Sequence, residues 1–489
     1  YTVSDGNGGT DTATLTITVT GVNDTPVGNV ETISVNENDF SANLHTLVLS
    51  NDTDVDASDT LDVSGIDTSL TTGFVTYNDA ANILLYSAQN YDYLAEGATA
   101  TDSFVYTVSD GNGGTQSVTV TVNITGVNDA PTAQEDLFTT DEDTITSGNV
   151  LVDNGNGADS DADIGDTVSV NGVVGGSLGV AIAGDNGGLF TINADGSISF
   201  NPNNDFEDLA IGDSRETVVY YTAVDNNGAE SVGTVTMTVT GANDAPIAQD
   251  DALSVGEDNT YNGNVLIDNG SGADSDPDNG DTLSVSGVVG GSLGVAIAGS
   301  NGGLFTINAD GTINFDSNSD FEDLAVGETR DTTVQYTVSD GNGGTDTATV
   351  TMTVNGANDA PNAVDDSVNT IKDTVYNGNV LIDNLNGADT DPDTSDTLSV
   401  SGVVGGSLGV AVAGSNGGLF TINADGTFSF DPNGDFDGLA SAESQVTTIQ
   451  YIVSDGNGGT DTATITMSVT GGSLAAEDDG LIGELAENG

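Results

Sequence analysis

The sequence predicts an all-β protein, a tandem array of immunoglobulin-like β-sandwich domains. One motif, YTVSDGNGGT, begins at Tyr1, returns at Tyr106, is altered at Tyr221, returns at Tyr336 and recurs as YIVSDGNGGT at Tyr451, so the period is 105 and then 115 residues. Within each period, β-branched and aromatic residues alternate with Thr or Ser, which is typical of strands with one buried face. Turn signals divide each period into about seven strands, as in an immunoglobulin-like sandwich.

A second marker, Gly-X-Asn-Asp-X-Pro, begins at Gly21, Gly126, Gly241 and Gly356 with the same spacing. A period of this length is the size of a whole small domain. The predicted segments are 1–21, the last strands of a preceding repeat; 22–126, 127–241, 242–356 and 357–471, repeats 1 to 4; and 472–489, an acidic tail or the start of a further segment.

Repeat 3 shows the predicted elements most clearly, and no segment has convincing helical periodicity. The strands are A near Ala252–Val255, B near Tyr261–Ile267, C near Thr282–Val288, a hairpin over Leu304–Phe315, and F and G on either side of the SDGNGG turn. In such a sandwich the B–C and F–G loops share the end where the chain enters, here called the proximal end. The A–B turn lies at the opposite, distal end.

The charge balance limits the possible partners. The chain has 77 Asp and Glu residues against 3 Lys and Arg, a net charge of −74, and no Cys. Nucleic acids and anionic membrane surfaces would be repelled. Disulfides and thiolate metal sites are excluded, and no apolar run approaches the roughly 18 residues of a membrane span. The 36% of hydrophobic residues alternate regularly, which argues against disorder. Dissolved cations are therefore the expected partner.

Each repeat carries an Asp-X-Asp-X-Asp-X-X-Asp motif between strands B and C. Four carboxylates in eight residues repel one another unless a cation lies among them, and Ca²⁺ takes six to eight oxygen ligands. A solvated acidic surface, as in salt-adapted proteins, is the alternative. The motif residues are Asp52, Asp54, Asp56 and Asp59; Asp159, Asp161, Asp163 and Asp166; Asp274, Asp276, Asp278 and Asp281; and Asp389, Asp391, Asp393 and Asp396.

Three further positions are predicted to bring ligands to the junctions between neighbouring repeats. A Glu in the A–B region follows the linker Pro by eleven residues, the linker supplies Asn and Asp, and the F–G turn supplies Asp. Each junction would thus combine the distal end of one repeat with the proximal end of the next. The residues are Glu37, Glu142 and Glu257; Asn23, Asp24, Asn128, Asp129, Asn243, Asp244, Asn358 and Asp359; and Asp110, Asp225, Asp340 and Asp455.

This arrangement resembles the inter-domain calcium sites of cadherins, and the repeats are similar to bacterial cadherin-like and VCBS-type tandem repeats. The similar stretches are DTDVDASDTL at 52–61, NADG at 308–311 and YTVSDGNGGTDTATVTMTVNGANDAP at 336–361, and the resemblance spans nearly the whole chain. It implies a calcium-stiffened extracellular spacer of a large RTX-type bacterial surface adhesin, active in cell adhesion or biofilm and often exported by type I secretion.

The two ends depart from the pattern. After Pro361 the expected Glu is replaced by Lys372, and after strand G of repeat 4 the linker motif is replaced by GGSL at 471–474. We therefore expect no calcium site at the distal end of repeat 4. The segment 1–20 supplies only F and G strands, and two strands alone are marginal in water, so it should be poorly ordered unless other strands complete it.

The sequence does not predict an enzyme. The motif GGSLG at 175–179, 290–294 and 405–409 matches a hydrolase nucleophile elbow, but it lacks the strand-to-helix context and an available His. The sole His45 is expected to pack in a strand-like run. Two alternatives to the spacer stay open. One is a subunit of a self-assembling extracellular filament or of a matrix or surface-layer protein. In it, a neighbouring molecule would complete the incomplete N-terminal repeat. The other is a carbohydrate- or protein-binding module, which a cluster of exposed aromatic residues would favour and the aromatic content of 5% does not.

Overall fold

The computed structural model describes residues 1–382 and 384–472. The chain divides into two compact units, the first over Tyr1–Ala242 and the second from Asn243 onward, and each is described by itself. The expectations for the tail after residue 472 lie outside the described residues. No helix in the described part has the length and hydrophobicity needed to cross a membrane.

The first unit begins with a short hairpin of β1 (Thr2–Ser4) and β2 (Thr10–Thr12). Only three residue pairs join the two strands, and all their residues are exposed. Residues 13–20 form no strand, so the G strand expected in this segment is limited to β2. No second sheet among the described residues covers the hairpin, and Leu15 and Ile17 are exposed.

Repeat 1 has one complete sheet and one reduced sheet. The complete sheet has the order β3-β8-β7-β4, with β3 parallel to β8, and the second is the hairpin β5-β6. The elements are β3 (Glu31–Asn36), α1 (His45–Val48), β4 (Asp62–Asp67), β5 (Phe74–Asn78), a 3-10 helix (Asp79–Ala81), β6 (Ile83–Ser87), a 3-10 helix (Gln89–Tyr91), β7 (Thr99–Ser109) and β8 (Thr115–Thr125).

Repeat 2 completes the first unit with two four-stranded sheets, β11-β15-β16-β9 and β10-β14-β13-β12. Its strands are β9 (Glu135–Asp141), β10 (Thr146–Asn149), β11 (Ser169–Val173), β12 (Ile182–Ala183), β13 (Leu189–Ile192), β14 (Ser197–Asn201), β15 (Ser214–Val224) and β16 (Glu230–Thr240).

The second unit repeats this architecture twice. In repeat 3 the sheets are β17-β24-β23-β19 and β18-β22-β21-β20, and in repeat 4 they are β25-β32-β31-β27 and β26-β30-β29-β28. The strands of repeat 3 are β17 (Asp251–Gly256), β18 (Thr260–Asn264), β19 (Ser284–Val288), β20 (Ile297–Ala298), β21 (Leu304–Ile307), β22 (Thr312–Asp316), β23 (Thr329–Ser339) and β24 (Thr345–Asn355). Those of repeat 4 are β25 (Asp366–Ile371), β26 (Tyr376–Asn379), β27 (Ser399–Val403), β28 (Val412–Ala413), β29 (Leu419–Ile422), β30 (Thr427–Asp431), β31 (Ser444–Ser454) and β32 (Thr460–Thr470).

The core of each repeat lies between its two sheets. In β23 nearly every second residue is buried, as the alternation in the sequence predicts. The buried side chains of repeat 3 include Phe305, Phe315, Tyr336 and Met352, and the two Phe rings lie 4.7 Å apart. The predicted fold class, an all-β array of sandwiches, is therefore confirmed.

Most predicted elements of repeat 3 form, but strand B ends early. The strand stops at Asn264 because the Asn264 Oδ1 accepts a hydrogen bond from the Leu266 N–H at 2.8 Å, which turns the chain. The hairpin over 304–315 is confirmed by β21 and β22. The GGSLG segment is a turn between β19 and β20, where Gly290 and Gly294 adopt positive φ angles of 81° and 71°.

One helical turn, α1, replaces the strand-like run predicted around His45. His45 is buried, and its Nε2 lies 3.0 Å from an Asp62 carboxylate oxygen. The prediction that His45 packs in the interior is confirmed, but the prediction that it lies in a strand-like run is wrong.

Candidate metal centres

Three loops meet at the proximal end of each repeat and form an acidic pocket. In repeat 4 the Asp359 N–H of the linker donates to Asp393 Oδ2 of the B–C loop at 3.0 Å. The Asn358 Nδ2 donates to Asp455 Oδ2 of the F–G turn at 2.9 Å. Within the B–C loop, the Asp393 N–H donates to Asp391 Oδ1 at 3.0 Å. The linker therefore fixes the positions of both loops.

The same linker contacts recur in the other repeats. The linker Asp N–H donates to the third Asp of the B–C motif, and the linker Asn side chain donates to the F–G Asp. The pairs are Asp24–Asp56, Asn23–Asp110, Asp129–Asp163, Asn128–Asp225, Asp244–Asp278 and Asn243–Asp340, at 2.7–3.0 Å.

A buried glutamate reaches each of two junctions from the distal end of the preceding repeat. In the first unit, the Glu37 carboxylate accepts hydrogen bonds from the Val127 N–H at 2.7 Å and the Leu94 N–H at 3.0 Å. In the second unit, Glu257 Oε1 accepts from the Ala357 N–H at 2.5 Å. These bonds fix the glutamates against the linkers, so the linker sequence and the A–B turn are structurally coupled.

Glu142 occupies the corresponding position at the end of the first unit. Its Oε1 accepts a hydrogen bond from the Ala242 N–H at 2.7 Å. The linker Asp244 and the B–C loop of repeat 3 belong to the second unit and are held together there as described above.

Carboxylate oxygens converge in two kinds of cluster, and in each the ligand atoms lie within 4.8 Å of one another. The first kind spans two repeats and joins the A–B Glu, the linker Asp and the third motif Asp. The second kind lies within one B–C loop. Those of the first kind include Glu37, Asp129 and Asp163, and Glu257, Asp359 and Asp393; those of the second kind include Asp54, Asp56 and Asp59, and Asp161, Asp163 and Asp166.

Several of these oxygens are buried and have no hydrogen-bond partner among the described residues. Leaving a buried polar atom unpaired costs about 1–3 kcal/mol, and more for a charged group. Cations bound at the separate clusters could pair with these oxygens, and a set made only of carboxylate and amide oxygens suits Ca²⁺ better than Mg²⁺ or Zn²⁺. The residues present therefore fit calcium. The atoms include Asp129 Oδ2, Asp161 Oδ2, Asp163 Oδ1, Glu257 Oε2, Asn358 Oδ1, Asp359 Oδ2, Asp391 Oδ2 and Asp393 Oδ1, with Asp276 Oδ2 and Asp278 Oδ1 in repeat 3.

Burial raises the pKa of several carboxyl groups in these clusters. Burial, followed by repulsion from Asp359, Asp258 and Asp393, raises the pKa of Glu257 to about 7 even though the Ala357 N–H lowers it. Burial also raises the pKa of Asp359 and Asp393. Positive charge placed among these groups would therefore be strongly favourable.

The first Asp of each motif is turned toward the sandwich core. Asp274 Oδ1 accepts from the Gln249 N–H at 2.7 Å, and its Oδ2 lies 3.4 Å from the donating Tyr336 hydroxyl. This residue anchors the loop to the core, and its role as a ligand stays a prediction. The equivalent contacts join Asp52 to Tyr106, Asp159 to Tyr221 and Asp389 to Tyr451.

The fourth motif Asp and the F–G Asp also bind protein donors. Asp281 Oδ2 accepts from Asn342 Nδ2 at 2.9 Å, and Asp340 Oδ1 accepts from three N–H groups of its own turn, including that of Gly344 at 3.1 Å. These bonds fix the loop geometry, and whether the two carboxylates also bind a cation stays a prediction. The same F–G contacts hold Asp166 and Asp396.

A buried acidic residue at the start of strand A belongs to none of the motifs recognised in the sequence. Asp251 is 3% exposed, and its carboxylate accepts from the Tyr336 hydroxyl at 2.9 Å and from Asn269 Nδ2 at 2.7 Å. Burial raises its pKa to about 6. Strand parity could have revealed it, because Asp251 lies on the same face as the core residue Leu253. Asp136 and Asp366 occupy this position in repeats 2 and 4.

Lys372 fills the distal position of repeat 4 in a different way. Its Nζ donates to the carbonyl oxygens of Asp437 at 3.1 Å and Leu439 at 3.4 Å. The ammonium group therefore binds the turn of repeat 4 that corresponds to the Leu94 turn, which donates to Glu37 in repeat 1. The absence of a calcium site there stays a prediction.

The fold and the acidic junctions together define a tandem array of cadherin-type β-sandwich domains. The chain belongs to the bacterial cadherin-like domain family, whose model matches residues 23–126, 128–241, 243–356 and 358–471.

One relative is the protein described as "Calcium-binding lectin RapA2" from Rhizobium johnstonii. It is 31% identical over 236 residues, which are 46% of this chain and 95% of that protein. Among solved structures, the extracellular cadherin domains 1–5 of protocadherin gamma B2 match with 14% identity, 92% and 81% coverage of the two chains and a TM-score of 0.47. The protocadherin gamma B4 extracellular domain matches with 18% identity, 92% and 68% coverage and a TM-score of 0.46.

Proposed function

We propose that this chain is a calcium-stiffened spacer region of an extracellular bacterial adhesin. The observation that carries the proposal is the cluster of buried, unpaired carboxylate oxygens supplied jointly by two repeats at one junction. In the second unit, Glu257 comes from repeat 3, Asp359 from the linker and Asp393 from repeat 4. A ligand set divided between two domains couples their relative position to cation binding.

Each group has a defined part in this mechanism. The Ala357 N–H orients Glu257, and the Asp359 N–H orients Asp393, so the free oxygens face one another before a cation arrives. Bound Ca²⁺ would supply the positive charge that links the two repeats. Because binding requires the folded loops, it also stabilises the folded state. Extracellular modules bind Ca²⁺ with Kd of about 10⁻⁴–10⁻³ M, so millimolar calcium fills even weak sites.

Motif similarity supports finer parts of the proposal. We infer that the parent protein is an RTX-type adhesin at the bacterial cell surface, with VCBS-type repeats, export by type I secretion and a role in cell adhesion or biofilm. A non-enzymatic role agrees with the family and with the burial of the sole His45 beside Asp62. Self-association into a filament stays a prediction, which sedimentation at several protein concentrations would test.

Small-angle X-ray scattering tests the spacer function. We expect EDTA, at constant NaCl, to convert a profile of well-defined maximum dimension into that of a flexible chain, and excess CaCl₂ to restore it. D359N and D393N should require more calcium, whereas the exposed control D373N should behave as the wild type. A profile that ignores EDTA but changes with NaCl would show that the carboxylates form a salt-adapted surface.

A second function is favoured by the lectin relative, because the matched region covers 95% of that protein. We propose that part of this chain binds carbohydrate in addition to acting as a spacer. Binding of the intact chain to immobilised oligosaccharides, compared with a buffer-only surface, tests this function independently of the scattering experiment.

A further inference from the structure

Two phenylalanines of repeat 1 are unlike all the others. The chain has 14 Phe residues, all within the described part, and only Phe40 and Phe74 are exposed, at 62% and 55%. Aromatic side chains usually contribute to cores and interfaces because they bury large areas. Two exposed rings in the same repeat therefore require an explanation.

The strand register brings the two rings together on one surface. Phe74 is the direct partner of Ser87 in the β5–β6 hairpin, and Phe40 forms an isolated β-bridge with the same Ser87. Direct cross-strand partners lie on the same face, with neighbouring strands about 4.8 Å apart. The row Phe40–Ser87–Phe74 therefore places the two backbones about 10 Å apart, with a hydroxyl-bearing residue between them.

Ser87 has an unsatisfied hydroxyl. Tyr86, its neighbour in β6, points into the core, where its hydroxyl donates to Asp102 at 2.6 Å, so Ser87 belongs to the outer face. Ser87 is nevertheless only 3% exposed, and its Oγ has no hydrogen-bond partner among the described residues. A buried hydroxyl between two exposed rings is a polar group that a ligand inserted at this point could pair.

A groove next to Phe40 adds further polar groups. The groove has a volume of about 260 Å³ and is lined by Phe40, Ser34, Asn36, Asp39, Ser41 and Thr125, among others. Asn36 Nδ2 donates to Asp39 Oδ2 at 3.1 Å, which orients the amide and the carboxylate at the groove. This surface combines aromatic faces with hydroxyl, amide and carboxylate groups.

The other repeats lack this combination. In repeat 3 the corresponding row is Thr260–Asp316–Leu304, with a charged residue in the middle and no ring. In repeats 2 and 4 the pairs are Leu189–Asn201 and Leu419–Asp431. The aromatic row is therefore a property of repeat 1 and not of the fold.

We propose that repeat 1 binds a neutral saccharide on the Phe40–Ser87–Phe74 row and the adjoining groove. A sugar ring has an apolar C–H face that packs on aromatic rings and a rim of hydroxyls that pair with amide, carboxylate and hydroxyl groups. The net charge of −74 repels anionic polysaccharides, which is why the ligand is neutral. This inference rests on the carbohydrate-binding function proposed above and gives it a site.

The test uses the intact chain in 1 mM CaCl₂ and three neutral probes: cellohexaose, laminarihexaose and chitohexaose. Isothermal titration should show binding of at least one of them. F40A and F74A should each weaken it by about tenfold, the value of one aromatic contact of about 1.4 kcal/mol. S87A should weaken it less. Y220A removes an exposed aromatic residue of repeat 2 and should bind as the wild type.

Three results would overturn the inference in distinguishable ways. If the wild type binds none of the three probes, the neutral-saccharide site is wrong; the separate test with immobilised oligosaccharides then decides whether the chain binds carbohydrate at all, and the scattering test of the spacer is unaffected. If the wild type binds but F40A and F74A bind equally well, the function stands and the site is wrong. If an anionic probe such as polygalacturonate binds more tightly, the assignment to neutral saccharides is wrong. Circular dichroism melting curves establish that each variant is folded.

Discussion

At the scale of single residues, the position eleven residues after the linker Pro carries a negative charge in repeat 3 and a positive charge in repeat 4. Glu257 leaves a carboxylate oxygen for a cation, whereas Lys372, at the same point of repeat 4, places its own ammonium group against backbone carbonyls. The amine therefore supplies internally the positive charge that, in the proposed mechanism, Ca²⁺ brings to the glutamate.

This comparison predicts the behaviour of E257K. The introduced amine should lower the number of bound calcium ions by at least one, because it occupies the junction beside Asp359 and Asp393. In EDTA the same variant should melt at a higher temperature than the wild type, because the charge repulsion is removed. Isothermal titration and scanning calorimetry measure the two effects. The control E96K makes the same charge change at an exposed site, and equal effects in both variants would refute the prediction.

The buried strand-A aspartates predict a specific pH dependence. Burial raises the pKa of Asp136, Asp251 and Asp366 to about 6, so the native state favours their protonated forms. Their favourable contribution is complete below pH 4, the range of an unfolded Asp, and is lost as the pH rises through 6. The triple variant D136N/D251N/D366N should be more stable than the wild type at pH 7.5 in EDTA, by about 1–2 kcal/mol per repeat. It should gain nothing at pH 4. Urea unfolding at both pH values measures this, and an equal gain at pH 4 would contradict it.

The sequence predicted which loop residues are acidic but not which way each one points. The motif spacing indicated four equivalent ligands in each repeat. In the structure Asp274 turns to the hydroxyl of Tyr336, a residue 62 positions away, while Asp276 and Asp278 keep unpaired oxygens. That division depends on long-range packing, which a local motif does not contain.

At the scale of elements, one hydroxyl group of strand F contacts several parts of the sandwich. Tyr336 of β23 donates to Asp251 of β17, and its oxygen also lies 3.1 Å from the Val265 carbonyl oxygen just after β18. The ring itself is fully buried between the sheets. One side chain therefore connects both sheets and the B–C loop.

We expect Y336F to destabilise repeat 3 by about 1–2 kcal/mol, because it keeps the ring but leaves the acceptors unpaired. Scanning calorimetry in calcium should show one of the unfolding transitions moved to a lower temperature. Y220F changes an exposed Tyr and serves as the matched control. An unchanged melting profile for Y336F would show that the hydroxyl contributes nothing to stability.

Long strands were predictable, and the irregular parts of the sheets were not. The alternation of Val and Thr indicated F and G because it extends over eleven residues in each strand. The end of strand B, the helix at His45 and the aromatic row of repeat 1 depend instead on side-chain hydrogen bonds and strand register. In particular, Phe40 and Phe74 lie far apart in the sequence and become neighbours only through Ser87.

At the scale of the whole molecule, calcium should control access to the linkers. The N–H groups of the linker residues Asp129 and Asp359 donate to carboxylates of the proposed calcium clusters, so loss of the cation would restore the repulsion among these carboxylates. We expect subtilisin to cut the chain at the linkers in EDTA, giving fragments of one or more whole repeats, and to cut slowly in 1 mM CaCl₂. The same amount of MgCl₂ should protect poorly. Equal cleavage under all three conditions would show that the linkers do not respond to calcium.

The parallel pairing of the first and last strands has a mechanical consequence. In repeat 3, β17 and β24 are joined over six residue pairs and run in the same direction. A pulling force acts at the start of β17 and at the end of β24, so it shears the two strands and loads all the hydrogen bonds between them at the same time. Breaking these hydrogen bonds together needs more force than opening an antiparallel hairpin one hydrogen bond at a time. We therefore expect force spectroscopy to record high, regularly spaced rupture events.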